Sequence, residues 1–157
     1  IDTSRLAPHE LRAQIEAEYG LIEQTAGIAI NVLSFGFKYG VPPEADLVFD
    51  VRFLANPHYV PHLRALDGRN PLIRNYVFSD PLAKEFLNRL NDLVDFTLPQ
   101  YIREGKAYLT IAIGCTGGQH RSVVIAEQVA RFLMEKGYRV NVQHRDVNRH
   151  LQAVLEG

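Results

Sequence analysis

The chain has 157 residues, enough for one domain with a sizeable core, because a domain of this size buries roughly 70% of its unfolded surface. Its 17 lysines and arginines are balanced by 18 acidic residues, so the net charge of −1 gives no overall attraction to nucleic acid, although a local basic patch stays open. The single cysteine excludes an intramolecular disulfide, and no apolar run approaches the roughly 18 residues that span a membrane. No signal-peptide pattern is recognised, and we expect a cytoplasmic protein without membrane contact.

The first twenty residues predict a helix. Pro8 lies near its start and Gly20 just past its end, which is the usual asymmetry of helix termini. The apolar face of this helix is weak, and the chain opens at Ile1 rather than at a methionine. We therefore expect residues 1–20 to be a connector helix from an upstream region and residues 21–157 to form the domain itself.

Further along the chain, apolar runs predict four strands. They lie in "GIAINVLSFGF", "DLVFDVRF", "KAYLTIAIG" and "YRVNVQHR". Helical spacing of apolar residues predicts a long helix over about Pro81–Arg103, with a kink at Pro99, and a second helix over residues 119–136 that Gly137 ends. Between the second strand and the long helix, the three prolines of "LANPHYVPHLRALDGRNPL" predict a long ordered loop.

This alternation of strands and helices predicts an α/β fold. A single domain with a mostly parallel sheet, flanked by helices, is the architecture that crossover connections of this kind produce. In such sheets the ligand lies outside the carboxyl end of a strand, where a loop leads into a helix. The segment "GCTGGQHRS", which follows the third strand, occupies that position.

The residue types of this segment predict an anion site. Gly117 and Gly118 allow a tight turn with inward N–H groups, and the next helix contributes free N–H groups and the positive end of its dipole. Arg121 adds a planar fork suited to phosphate or carboxylate, and Thr116 and Ser122 add hydroxyls. The alternative is a simple tight turn with Arg121 in a surface salt bridge.

A sharper hypothesis starts from the only cysteine. Cys115 and Arg121 follow the spacing Cys-x-x-Gly-x-x-Arg, which resembles the signature loop of cysteine-dependent phosphatases. A helix N-terminus and a nearby arginine lower the pKa of a thiol, and Asp50 is the candidate general acid. Those enzymes carry a histidine before the cysteine, where this chain has Gly114, and a free cysteine is often a small buried hydrophobic residue. Phosphatase activity therefore stays the alternative to a binding loop.

Four blocks of sequence carry a family resemblance over nearly the whole chain. They are "SFGFKYGVP", "FDVRFLANPH", "LRALDGRNP" and "YLTIAIGCTGGQHRSV", and in this order they resemble the C-terminal domain of the RapZ/YvcJ family, the RNase adapter proteins. The resemblance implies an upstream domain whose Walker-type loop binds and hydrolyses ATP or GTP. The motif Gly-x-x-x-x-Gly-Lys-[Ser/Thr] does not occur here, so no cofactor is expected in this domain. The resemblance also implies a metabolite sensor, itself non-catalytic, for glucosamine-6-phosphate.

The resemblance further implies which residues meet this phosphosugar. With Gly118 and Ser122, which come from the anion-site pattern above, the expected ligand-binding residues are Lys38, Asp50, His58, Arg64, Cys115, Thr116, Gly117, Gly118, His120, Arg121 and Ser122. Another interpretation stays open for Lys38 and for Asp50. Lys38 would otherwise be a surface lysine on an aromatic turn, and Asp50 would act as a cap or form a salt bridge with Arg52 or Arg64. His58 and His62 are four residues apart, but the prolines between and before them break the helix that a metal pair would need, so no metal is expected.

The partners are also implied by the resemblance. Enteric members of the family bind a small regulatory RNA and present it to an endoribonuclease, and family members self-associate. We thus expect a small RNA, an endoribonuclease or another regulatory protein, and a homo-oligomer. RNA-binding members end in a basic cluster that contacts phosphates, whereas this chain ends "QHRDVNRHLQAVLEG", with Arg145 and Arg149 alone. A plain RNA-binding module is the third alternative.

Overall fold

The computed structural model describes residues 27–149, so the connector helix expected over residues 1–20 lies outside the described residues. Within the described part, four strands and three α-helices follow one another as β1 (Ala29–Gly36), β2 (Leu47–Asp50), α1 (Pro71–Phe78), α2 (Pro81–Arg103), β3 (Tyr108–Cys115), α3 (Arg121–Glu135) and β4 (Arg139–His144). Two single-turn 3-10 helices, Phe37–Tyr39 and Pro57–Tyr59, lie in the loops after β1 and β2.

The strands form one parallel sheet in the order β2-β3-β1-β4. β1 pairs along its whole length with β3, so that Gly36 lies opposite Cys115, and it pairs on its other side with β4 up to Ser34 and His144. β2 pairs with the second half of β3, where Asp50 lies opposite Gly114. The predicted α/β class with a parallel sheet is confirmed. Because every strand runs the same way, the loops that leave their carboxyl ends lie at one edge of the sheet.

The core lies between this sheet and the helices. β1 and β3 are nearly continuous apolar runs, as expected for parallel strands covered on both faces, and Val32, Ile111 and Ile113 are fully buried. Along α2 the predicted apolar face is largely confirmed: Leu90 and Leu98 are buried, whereas Leu93 is half exposed. None of the helices within residues 27–149 is long and apolar enough to cross a membrane.

One helix differs from the expectation. The sequence predicts a loop through Leu72, but α1 begins at Pro71, because Asn70 caps it with a side-chain oxygen that accepts the Leu72 N–H at 2.9 Å. Proline is well suited to this first position, since it has no N–H group to leave unpaired. α2 starts by the same device, with Asp80 before Pro81, and its bounds agree with the prediction. α3 starts two residues later than predicted.

Candidate functional site

The carboxyl ends of three neighbouring strands meet around the predicted loop. Lys38 follows β1, and its N–H donates to the Thr116 carbonyl at 3.2 Å. Val51 follows β2, and its N–H donates to the Gly114 carbonyl at 2.9 Å. The loop after β3 is thus tied on one side to the segment that carries Lys38 and on the other to the segment that carries Asp50.

The two glycines of the loop have different surroundings. Gly118 has a φ of +77°, and a Cβ atom added there would lie 2.6 Å from the Gly36 nitrogen. A Cβ on Gly36 would in turn lie 2.4 Å from the Gly117 carbonyl carbon, so the two main chains touch with no space for side chains. A Cβ on Gly117 would meet only Lys38 Cε, at 3.9 Å. Gly118 is therefore needed for packing, while Gly117 faces open space beside Lys38.

The main chain of the loop leaves donors available. The N–H groups of Gly117, Gly118 and Gln119 donate no hydrogen bond to any group within residues 27–149. α3 also starts without a side-chain cap on its first turn. Unpaired N–H groups before a helix N-terminus form a concave site that favours negative charge. The amides that the sequence predicts to receive an anion are not used by the described parts of the protein.

Arg121 is the first residue of α3, and its side chain is only 5% exposed. Its Nη1 donates to the main-chain carbonyls of Arg52 at 2.5 Å and Leu54 at 3.2 Å. No carboxylate within residues 27–149 forms a salt bridge with it, so the predicted alternative of a surface salt bridge is wrong. One end of the guanidinium is therefore used to hold the loop after β2.

The other edge of the same guanidinium is unused. Arg121 Nε is buried and has no hydrogen-bond partner, and Nη2 donates to no group in the described part of the chain. A buried donor without a partner costs about 1–3 kcal/mol, and it calls for an explanation such as a water or an ion. Nε and Nη2 are the two donors with which arginine grips an oxoanion side-on. An anion bound at this edge would satisfy both.

The thiol of Cys115 points into the protein. Cys115 is 2% exposed, and its Sγ donates to the hydroxyl of Ser122, which is fully buried, at 3.1 Å. Within residues 114–122, Thr116 is the residue that is exposed. Cys115 and Ser122 therefore support the floor of the loop, while Thr116 offers its hydroxyl to solvent.

Asp50 pairs with Arg52, which confirms one of the two interpretations left open by the sequence. Arg52 Nε and Nη2 donate to its carboxylate at 3.0 and 2.6 Å, and the Arg52 guanidinium lies 4.0 Å from the ring centroid of Phe37. The hydrogen bond from Arg52 lowers the pKa of Asp50 below its ordinary value, and the charge of Arg121 adds to this effect. The carboxylate is thus an ionised acceptor that is nearly half exposed to solvent.

The expected site residues of the long loop are arranged less directly. The Arg64 carbonyl accepts a hydrogen bond from Gln119 Nε2 at 2.9 Å and lies 3.1 Å from His120 Nε2, so the buried His120 ring holds this loop. The side chains of His58 and Arg64 are exposed, and within residues 27–149 neither forms a hydrogen bond with the glycine loop. His58 and His62 belong to no group of potential metal ligands in that part of the chain.

Two carboxylates and a histidine near this edge carry no signal in the sequence. Asp146 is buried after β4 and accepts the Gly36 N–H at 2.8 Å. His144 lies between the Ser34 hydroxyl, 2.7 Å from Nδ1, and the Glu127 carboxylate, 2.6 Å from Nε2. This chain of side chains joins β1, β4 and α3, and it runs from the fully buried Ser34 to the partly exposed Glu127.

Taken together, these features define an α/β domain with an all-parallel sheet and a glycine-rich loop at its carboxyl edge. Residues 28–148 match the family model described as the RapZ C-terminal domain. The chain belongs to this family, which confirms the resemblance recognised in the sequence.

Curated relatives agree with this assignment. The chain is 48% identical over 150 residues to a "Nucleotide-binding protein" of Desulfitobacterium hafniense. The aligned residues make up 96% of the chain and 50% of the relative. The chain is 52% identical over 149 residues to one of Limosilactobacillus reuteri (95% and 51%), and 53% over 148 residues to one of Koribacter versatilis (93% and 48%). The chain spans about half the length of these relatives.

Proposed function

We propose that this domain binds a phosphorylated amino sugar of the glucosamine-6-phosphate type at the loop between β3 and α3. The observation that carries the proposal is the buried, unpartnered Nε of Arg121, a residue that follows closely in the sequence on the unpaired N–H groups of residues 117–119. Both kinds of donor suit the oxygens of a phosphate group, and charge-assisted hydrogen bonds of this kind are the strong ones.

Residues around the loop fit the remainder of such a ligand. Lys38, with its Cε beside the open side of Gly117, brings a positive charge to the phosphate. Asp50 is ionised and half exposed, so it offers an acceptor for an ammonium or hydroxyl group of a sugar. The cation of Lys38 and the carboxylate of Asp50 together suit a ligand that carries both charges.

For the whole protein we propose a regulatory role in which this domain reports the metabolite to a nucleotide-binding region. The relatives are named nucleotide-binding proteins, and this name supports nucleotide binding by the whole protein. The adapter role toward a small RNA and an endoribonuclease draws less support from the chain. Arg145 and Arg149 both pair with Asp146, so neither guanidinium is fully available to RNA phosphates.

Calorimetry with four compounds tests the binding proposal. We expect heat of binding with glucosamine-6-phosphate and, more weakly, with glucose-6-phosphate and inorganic phosphate, because the phosphate supplies most of the contacts. Unphosphorylated glucosamine should give none. Equal affinity for glucosamine and its phosphate, or no binding by any of the four, would contradict the proposal.

A cysteine-dependent phosphatase is the second candidate. Its support is the hydrogen bond between Cys115 and Ser122, since a hydroxyl at this distance would stabilise a thiolate. Against it, the lowered pKa of Asp50 makes this residue a poor general acid, and the thiol is buried. Turnover of p-nitrophenyl phosphate that Cys115→Ser abolishes would favour the enzyme; we expect no turnover in either protein.

A further inference from the structure

Asp146 is a carboxylate that folding removes from water. It lies just after β4, is 1% exposed, and accepts hydrogen bonds from the Gly36 N–H at 2.8 Å, from Arg145 Nη2 at 2.9 Å and from Arg149 Nε at 2.6 Å. Burial of a charged carboxylate is unfavourable unless it is paired and hydrogen-bonded, and here both conditions are met. The contact with Gly36 is notable because it joins residues 110 positions apart.

Gly36 is the point at which Asp146 reaches the glycine loop. The main chain of Gly36 lies against Gly117 and Gly118 at distances that leave no space for a Cβ atom. A Cβ on Gly118 would also lie 2.9 Å from the Cβ of Asp146. Gly118 therefore packs against both the residue that Asp146 holds and Asp146 itself. A displacement of the carboxylate would therefore move the Gly36 main chain, against which the glycine loop is packed.

The two arginines extend this support to the turn that carries Lys38. Arg145 Nη2 donates to the Gly40 carbonyl at 2.6 Å, at the end of that turn. The Arg149 guanidinium lies 4.3 Å from the ring centroid of Tyr39, and Lys38 Nζ lies 5.1 Å from the same centroid. The cluster thus contacts the chain on both sides of Lys38.

The charge of the cluster is also compatible with an anion nearby. A lone carboxylate behind the loop would repel phosphate, whereas one aspartate with two arginines leaves one positive charge in excess. Burial alone would raise the pKa of Asp146, but the hydrogen bonds from Arg145, Gly36 and Arg149 outweigh burial and lower it. The carboxylate is therefore ionised at neutral pH, and the ion pairs are intact.

We propose that Asp146 is a positioning residue for the anion site: through Gly36 and the two arginines it fixes the N–H groups of Gly117 and Gly118 and the place of Lys38. This inference rests on the proposed function of the loop. Asp146 contacts no ligand in this arrangement, and it acts through the main chain that would.

The test uses Asp146→Asn in the 157-residue chain labelled with nitrogen-15. An amide keeps the size of the side chain but lacks the charge and one acceptor. In the ligand-free protein we expect the amide resonances of Gly36, Gly117 and Gly118 to shift. Those of Gly105 and Gly137, at the opposite edge of the sheet, should stay in place. In calorimetry with glucosamine-6-phosphate, the affinity should fall by about tenfold or more.

Asp46→Asn is the matched control. Asp46 also accepts one main-chain N–H, from Thr110 at 2.9 Å, and one cation, Lys106 at 2.9 Å, but it lies at the amino end of β2. This variant should leave the affinity unchanged. If Asp146→Asn does not fold, Arg149→Gln is the second variant. It removes the ion pair between Arg149 and Asp146 at a half-exposed position, and it should weaken binding by about threefold.

The outcomes separate the two proposals. No binding by the unaltered chain overturns the proposed function, while the glycine resonances still decide whether Asp146 sets the loop. Binding by the unaltered chain together with an unchanged affinity in Asp146→Asn and Arg149→Gln overturns the positioning role alone. Loss of affinity in Asp46→Asn to the same degree would show a general effect of lost ion pairs, and it would overturn the inference as well.

Discussion

The side chain of Arg121 is hydrogen-bonded to the main chain of Arg52: Nη1 donates to the Arg52 carbonyl at 2.5 Å. The same nitrogen also reaches the carbonyl of Leu54, while Nε stays buried without a partner. The guanidinium therefore has a structural end and a free edge. Substitutions at this position should change stability and ligand affinity by separate mechanisms.

We expect Arg121→Lys to lower both quantities. A lysine keeps the charge, but a compact ammonium cannot serve two carbonyls and also grip an oxoanion side-on. Loss of charge-assisted hydrogen bonds should weaken glucosamine-6-phosphate binding by about 1.5–3 kcal/mol and lower the free energy of unfolding by about 1–3 kcal/mol. Calorimetry and urea denaturation measure the two effects.

Arg89→Lys is the control for this pair of measurements. Arg89 is exposed on α2 and pairs with Glu85 four residues earlier, so the change should alter stability by about 0.5 kcal/mol or less. If Arg121→Lys loses stability but keeps its full affinity, the guanidinium is structural only, and the anion site is wrong.

The two loop glycines should respond differently to alanine. Gly118→Ala places a Cβ at positive φ and against the Gly36 main chain, which should cost about 1–3 kcal/mol of unfolding free energy for the backbone strain alone. Gly117→Ala meets open space, so its stability should change by about 0.5 kcal/mol or less. Its methyl group nevertheless lies beside the predicted anion, and affinity should fall. Thermal unfolding and calorimetry on both variants check this, and unaltered affinity in Gly117→Ala would place the ligand elsewhere.

Lys38→Ala should weaken binding modestly and in a salt-dependent manner. Lys38 is exposed beside the open side of Gly117, and an exposed charge contributes roughly 0.2–1 kcal/mol. The difference between Lys38→Ala and the unaltered chain should shrink as salt rises, because screening weakens the lost attraction. Lys84→Ala, an exposed lysine on α2, is the matched control. Titrations at low and high salt decide; identical losses in both variants would remove Lys38 from the site.

Acid should destabilise the fold through Asp146. Burial tends to raise the pKa of this carboxyl, but hydrogen bonds from Arg145, Gly36 and Arg149 lower it below the ordinary value of 3.8. A group with a lowered folded pKa stabilises the fold above its unfolded pKa, and this contribution is lost as the pH falls through the folded pKa. The free energy of unfolding should therefore fall below about pH 4–5, and it should fall less steeply in Asp146→Asn.

Urea denaturation between pH 7 and pH 3 measures this dependence. Asp50→Asn gives the comparison, because the pKa of Asp50 is also lowered, but its pair with Arg52 is half exposed and screened by solvent. It should flatten the profile less than Asp146→Asn does. Equal slopes in the unaltered chain and in Asp146→Asn would show that the buried ion cluster does not control acid stability.

Much of the fold can be predicted from local pattern. The bounds of α2 follow from the spacing of Leu90, Val94 and Leu98, and β3 follows from its unbroken apolar run. α1 is obscured because prolines nearby suggest a loop, although Asn70 followed by Pro71 is a recognisable start signal. The strand order β2-β3-β1-β4 cannot be predicted from any local sequence pattern, because it depends on how segments far apart in the sequence pack against each other.

In the candidate site, too, some features follow from local sequence and others from tertiary packing. Residue types alone predict the glycine loop and the involvement of Arg121, because glycines permit inward N–H groups and an arginine at a helix start adds donors for an anion. They do not predict that Nη1 turns to the Arg52 carbonyl, or that Asp146 supports Gly36 from 110 residues away. Such contacts are set by the tertiary packing of distant segments. The connector over residues 1–20 and the choice of phosphosugar stay predictions.

Residues 119–121 hold the long loop after β2 through hydrogen bonds to its main chain, which do not involve the side chains of that loop. Gln119 and Arg121 both direct their side chains at main-chain carbonyls, two each, in the span from Arg52 to Leu66. Every amino acid has such a carbonyl, so the outward side chains of the span can diverge among homologous proteins without loosening its attachment. New recognition surfaces can therefore arise there while the geometry beneath them is retained.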